Sequence, residues 1–173
     1  LFAFLGDKVG PIALAVLAAC LPWIIMTGMH ATFGAFMTQS LSNPGYDALF
    51  RPSLILHNMS EGGACLGVAL RTKNAALRSE ALSIAVGCIF AGVSEPAIYG
   101  INLPRRKPMI GVMVGGAAGG VLAGILGCRA YIMGASTVLA LPIFESSMLA
   151  MLGAIVVSIV VSAAVTFVLG FEE

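Results

Sequence analysis

Charge is distributed along this chain in a way that few folds can accommodate. From residue 9 to residue 46 there is no Asp, Glu, Lys or Arg, and further charge-free stretches cover residues 81–94, 108–128 and 146–171. A helix needs about 20 apolar residues to cross a hydrocarbon core about 30 Å thick. The first, third and fourth stretches reach that length. The second is too short to cross.

Composition narrows the class. Of 173 residues, 59% are hydrophobic and 10% are charged, against about 25% charged in soluble domains. A chain this small has too little interior to hide so much apolar surface in water. The expected fold is an all-α membrane protein. A net charge of +1 gives no bulk field for nucleic acid. Cys20, Cys65, Cys88 and Cys128 are far apart, sit in apolar stretches and form no CxxC, so they read as small buried hydrophobes and not as a metal site. No GxxxxGK[ST] loop is present for ATP, and no cofactor is expected. Leu1 opens the chain without a signal-peptide pattern, which suggests that upstream sequence is missing.

The first helix is expected over Val9–Met26, with a kink at Pro22. Residues Thr38 to Asn74 are too polar for lipid and too apolar for a loop. They include the turn signal Asn43-Pro44-Gly45 and read as a re-entrant hairpin packed inside protein. The short stretch 81–94 predicts a second hairpin. A helix over Ala81–Gly92 rises about 18 Å, Pro96 ends it, and the chain returns. Its two flanking basic clusters, Arg71-Lys73-Arg78 and Arg105-Arg106-Lys107, then share one face, cytoplasmic by the positive-inside rule. Pro108–Cys128 crosses outward, Arg129–Ser146 forms an external or re-entrant connection, and Ser147–Phe171 crosses back. Glu172 and Glu173 end in the cytoplasm. The architecture is several transmembrane helices plus two re-entrant hairpins.

Glu95 falls at the tip of the short hairpin. A carboxylate at membrane depth is costly and marks a polar pathway or binding site by default. It can accept several hydrogen bonds from ligand hydroxyls and take up a proton; pairing with Arg51 or capping a turn is the structural alternative. His30 follows the first helix and reads as a core residue or a ligand. Asn58 either meets a ligand or holds a hairpin tip. His57 reads as packing, and Glu61 as protonated or paired with Arg51. Trp23 and Tyr99 read as interface anchors or as platforms for a ligand.

The run Gly92-Val93-Ser94-Glu95-Pro96-Ala97-Ile98-Tyr99-Gly100-Ile101-Asn102-Leu103 resembles the signature of the IIC permease domain of the bacterial phosphotransferase system (PTS). The branch is that of β-glucosides, sucrose and trehalose in the glucose superfamily. Thr27-Gly28-Met29-His30, the run Asn58 to Asn74, and Phe167 to Glu173 are similar to further stretches of that domain, in order and over nearly the whole chain. Two positions depart from the pattern. Ala31 stands where the family often has a second histidine, and Glu61 where Gln is common.

The resemblance implies the C-terminal, sugar-binding half of a IIC domain, which spans residues 1–173 here and lacks the N-terminal helices and the IIB and IIA domains. It implies transport across the bacterial cytoplasmic membrane coupled to phosphorylation by a phosphorylated IIB partner, with IIA upstream. Glu95 and His30 are the implied catalytic residues. Glu95, His30, Asn58, Glu61 and Asn102 are the implied sugar-binding residues. A homodimer in the full-length protein, a lipid surround and no nucleic-acid partner are expected. A passive or ion-coupled sugar carrier and an inactive truncated remnant are the competing readings.

Overall fold

The computed structural model describes residues 10–172; Leu1 and Val9, on which the expectations about the start of the chain rest, and Glu173 lie outside them. Six α-helices organise the described residues. They are α1 (Gly10–Met26), α2 (Phe33–Ser42), α3 (Phe50–Arg71), α4 (Ala75–Val86), α5 (Lys107–Ile125) and α6 (Met148–Leu169). No named strand occurs among the described residues; a single isolated bridge joins Asp47 to Ala130.

Helix α1 runs through Pro22 without a break. The sharp turn comes at Gly28, whose φ of +76° suits a residue without Cβ. A short 3-10 turn, Met29–Thr32, follows, and the chain leaves at 119° to α1.

The expected hairpin over Thr38–Asn74 is instead two pieces. Helix α2 ends at the Asn43–Gly45 turn, and α3 then runs unbroken for 22 residues, about 33 Å at 1.5 Å per residue. Asp47 starts it. Its Oδ1 accepts from the backbone N–H of Leu49 (2.9 Å) and Phe50 (3.0 Å), and its Oδ2 from that of Arg51 (2.7 Å), which satisfies the otherwise orphaned donors of a helix start. The polarity that argued against a lipid-facing helix is accommodated by burial within protein. From Arg51 to Ala69 every residue but Leu54 and Leu66 is buried.

The short hairpin forms as expected, with the helix starting earlier. Asn74 caps α4 by accepting from Ala76 N–H (2.9 Å) and Leu77 N–H (3.3 Å). The helix widens into a π turn, Gly87–Ala91, and ends at Gly92, φ +74°. Ser94-Glu95-Pro96 is the tip, and a π turn over Ala97–Asn102 leads back. A second irregular segment enters from the other end. Residues 130–147 fold back on themselves through Tyr131 N–H to Ile143 C=O (3.0 Å) and a 3-10 stretch, Val138–Ser147. This is the connection that sequence left open as external or re-entrant.

Four long helices are held by backbone-to-backbone contact. Helix α5 carries two glycine rows. Gly111, Gly115 and Gly119 face α6, where a Cβ on Gly115 would sit 2.5 Å from Ser162 Cβ; Gly116, Gly120 and Gly124 face α1, where one on Gly120 would sit 2.6 Å from Ala15 Cα. Gly63 and Gly67 of α3 meet α6 as closely, with a Cβ on either placed 2.6 Å from a carbonyl oxygen. Ser158 donates to Leu56 C=O (3.1 Å) and Ser162 to Ser60 C=O (2.6 Å). Small residues that let backbones approach, with hydroxyls bonding across helices, are the interface chemistry of membrane bundles. Helix α5 is long and apolar enough to cross a membrane, as is α6 with the turn before it, and the bent pair α1–α2 passes the same test if taken as one span.

The basic residues gather at one end. Arg71 donates to Phe167 C=O and Lys107 to Leu169 C=O (3.5 Å), both at the last turn of α6. Arg78 binds the carbonyls of Ala69 (3.2 Å) and Thr72 (2.7 Å) at the end of α3, and Arg105 those of Gly100 (3.1 Å) and Ile101 (3.3 Å). Cations thus satisfy the orphan carbonyls of several helix C-termini.

Candidate functional site

The polar residues of α3 lie midway along it. Asn58 stands one residue after His57 and three before Glu61. Its amide nitrogen donates to Gly92 C=O at the hairpin tip (2.9 Å) and to Ser136 C=O in the segment from the opposite end (2.8 Å). One side chain therefore joins three elements, about 20 Å short of the C-terminal end of α3 at 1.5 Å per residue. The fit is close: a Cβ on Gly92 would lie 2.7 Å from Thr137 Cγ2. Arg51 supports the outer segment through Ser136 Oγ (3.1 Å) and the sulfur of Met133 (3.9 Å).

Glu95 follows that anchored tip. It is exposed and has no hydrogen bond or ion pair among the described residues. The expected alternative, a pair with Arg51, does not form; the terminal nitrogens of Arg51 go to Ser136 and Met133 instead. Nor does Arg51 reach Glu61. Ten residues of straight helix keep the two about 15 Å apart along the axis, where a hairpin could have brought them together.

Glu61 instead sits between His57 and Asn102. The Asn102 amide donates to Glu61 Oε2 and to its backbone carbonyl (3.4 Å), while the Cys65 thiol donates to Asn102 Oδ1 (3.8 Å). Glu61 Oε1 lies 4.0 Å from His57 Nδ1, and both side chains are wholly buried. Asn102 thereby ties the returning leg of the hairpin to α3.

Three buried polar groups here lack any hydrogen-bond partner among the described residues. They are both ring nitrogens of His57, Oε1 of Glu61 and Nδ1 of His30. Buried polar atoms are nearly always paired with protein or water, so a cluster of orphans marks a place for water or for a polar ligand. The bend at Gly28 carries His30 into the short 3-10 turn Met29–Thr32 that follows α1.

His57, read as packing, is wholly buried, and it stands four residues from Glu61 on one helix face. Asn58 was expected either to meet a ligand or to hold a hairpin tip, and Asn102 to meet the sugar; both amide groups are engaged within the protein. Trp23 and Tyr99 are exposed, Trp23 donating to the sulfur of Met113 (3.4 Å). No cluster of potential metal ligands occurs among the described residues.

No family model and no solved structure matches the chain. Curated proteins do. The PTS system beta-glucoside-specific EIIBCA component of Bacillus subtilis (strain 168) is 36% identical over 98% of this chain and 28% of its own length. The PTS system arbutin-, cellobiose-, and salicin-specific EIIBC component of Escherichia coli (strain K12) is 34% identical over 95% of this chain and 35% of its own. The PTS system sucrose-specific EIIBC component of Pasteurella multocida (strain Pm70) is 31% identical over 96% and 35%. The chain spans about a third of the length of these relatives.

Proposed function

The chain belongs to the membrane-permease family of the phosphotransferase system, as a stretch homologous to part of its EIIBC components, and from that premise we propose that it forms the sugar-binding, C-terminal part of a IIC domain. Its sugar is a β-glucoside, or sucrose or another glucoside of that branch. It works in the bacterial cytoplasmic membrane with the basic end and the C-terminus in the cytoplasm. Phosphoryl groups reach the sugar from a phosphorylated IIB domain, charged in turn by IIA, and the complete protein is a homodimer.

The observation that carries this reading is Glu95, an acid without a partner on a tip fixed at interior depth by Asn58. An ionised carboxylate accepts hydrogen bonds from two sugar hydroxyls at once. In transfer, the attacking hydroxyl oxygen bonds to phosphorus as the bond from phosphorus to the donor domain breaks, and Glu95 takes the hydroxyl proton. His30 orients the sugar through its unpaired ring nitrogen. His57 and Glu61 form the inner wall, and Asn58 and Asn102 hold that wall in place from within the protein.

Glu95→Gln in the full-length permease tests the assignment. Gln keeps the size and one acceptor oxygen but cannot take up the proton. Phosphorylation from phosphorylated IIB should fall by about 10² to 10⁴-fold. Equilibrium sugar binding should weaken by much less, because part of a hydrogen bond contributing about 1.5–3 kcal/mol survives. Phosphorylation at the unmutated rate would make Glu95 structural.

A further inference from the structure

A second cavity lies far from the basic end, between the start of α1, helix α2 and the end of α5, with a volume of about 560 Å³. Its place in the bundle follows from the packing. Pro11 meets Gly124 there, and Asp47 pairs with Ala130. Its walls mix flat apolar faces with unused polar groups. Phe36 stacks on Phe50 (ring centroids 5.6 Å apart), and the Arg129 guanidinium lies over Tyr46 (4.3 Å). The side chains of Gln39 and Asn43 and the Arg129 guanidinium make no hydrogen bond among the described residues. Two planar amides offer donors and acceptors together, and the guanidinium offers five donors. A concave site with apolar walls and a few convergent polar groups is the usual form of a small-molecule pocket.

We propose that this cavity is an outer vestibule for a neutral glucoside, occupied before the sugar reaches the Glu95 tip. The proposal rests on the permease reading above, which makes the end opposite the basic clusters the side from which sugar arrives. The residues are suited to a neutral polyol. Asp47, the one acid in the lining, is spent on capping α3, so no free carboxylate competes for the hydroxyl donors of the sugar, and Gln39 with Asn43 can both give and accept. Capture here raises the local sugar concentration without requiring the inner site to open.

The test is protection of a single thiol, using arbutin as probe in the full-length permease. Ser40→Cys is introduced with the four native cysteines (Cys20, Cys65, Cys88, Cys128) replaced, and labelled with a membrane-impermeant reagent from outside. Ser40 lines the cavity, is partly exposed and is not one of the groups assigned to the sugar, so the near-isosteric change should fold and leave binding in place. Arbutin at about ten times its half-saturating concentration for this site should slow labelling about tenfold by mass action. The slowing should persist in a Glu95→Gln background and be lost with Arg129→Gln. An unchanged labelling rate, in protein that still binds arbutin at the inner site, overturns the vestibule and leaves the permease reading intact. Failure to label without sugar also overturns it, since the cavity is then filled by other chain. Failure of the protein to bind any glucoside overturns both.

Discussion

The polar residues of α3 are costly where they sit, and each acquires a role from its neighbours. Glu61 keeps one oxygen on the Asn102 amide and leaves the other facing His57 without a hydrogen bond. Glu61→Gln preserves the acceptor for Asn102 and turns a donor toward His57 Nδ1. Membrane insertion and thermal stability in detergent should be unchanged or slightly raised, with much of the transport retained; complete loss of sugar binding would show that the carboxylate itself meets the sugar. Asn58 is the more sensitive position. Asn58→Asp removes both donors and sets an anion against the carbonyls of Gly92 and Ser136. Leaving buried acceptors unmet costs about 1–3 kcal/mol each. Uptake should therefore be lost while Asn102→Ala, which adds no charge beside Glu61 and leaves the tip contacts in place, retains some. Equal losses in the two variants would argue against Asn58 as the anchor of the tip. The place of Glu95 at a hairpin tip was legible in the sequence, because a short apolar run stopped by a proline between two basic clusters has to turn there. The partners of Asn58 and Asn102 were not, because an amide on a ligand and an amide on a distant carbonyl leave the same letter.

At the scale of elements, the glycines of α5 do what side chains do elsewhere. A Cβ on Gly115 would collide with Ser162 Cβ at 2.5 Å and with Ser158 C=O at 2.7 Å, whereas one on Gly153 of α6 meets nothing within 4 Å. Gly115→Ala should push α5 from α6 and lower the melting temperature measurably. Gly153→Ala should be neutral, or stabilising by about 0.5–1 kcal/mol from helix propensity. If both behave alike, α5 and α6 are not in the contact described. Helices α1, α5 and α6 were readable from the sequence within a few residues, since unbroken apolar runs leave little choice. Helix α3 was not. Its polarity reported burial in protein correctly, but burial in protein is compatible with a hairpin or a straight helix, and only the packing of Gly63 and Gly67 against α6 decides between them.

The whole molecule has two unlike ends. One gathers Arg71, Arg78, Arg105 and Lys107 on the carbonyls of helix C-termini, and the other holds the aromatic cavity around Tyr46 and Phe50. Single cysteines at Arg78 and Arg105 should both label only from the cytoplasmic side, and one at Gln39 only from outside. Labelling of the first two from opposite faces would abolish the hairpin.

That hairpin has a further consequence, which is one of parity. A segment that enters and leaves by the same face adds nothing to the tally of crossings. Helices α3 and α5 therefore keep the orientation they would have if Ala75–Asn102 were replaced by a plain short loop. The instructions that thread this chain through a bilayer and the residues that would handle its sugar can thus change independently. Substitutions along the tip can alter what is bound without ever inverting what surrounds it.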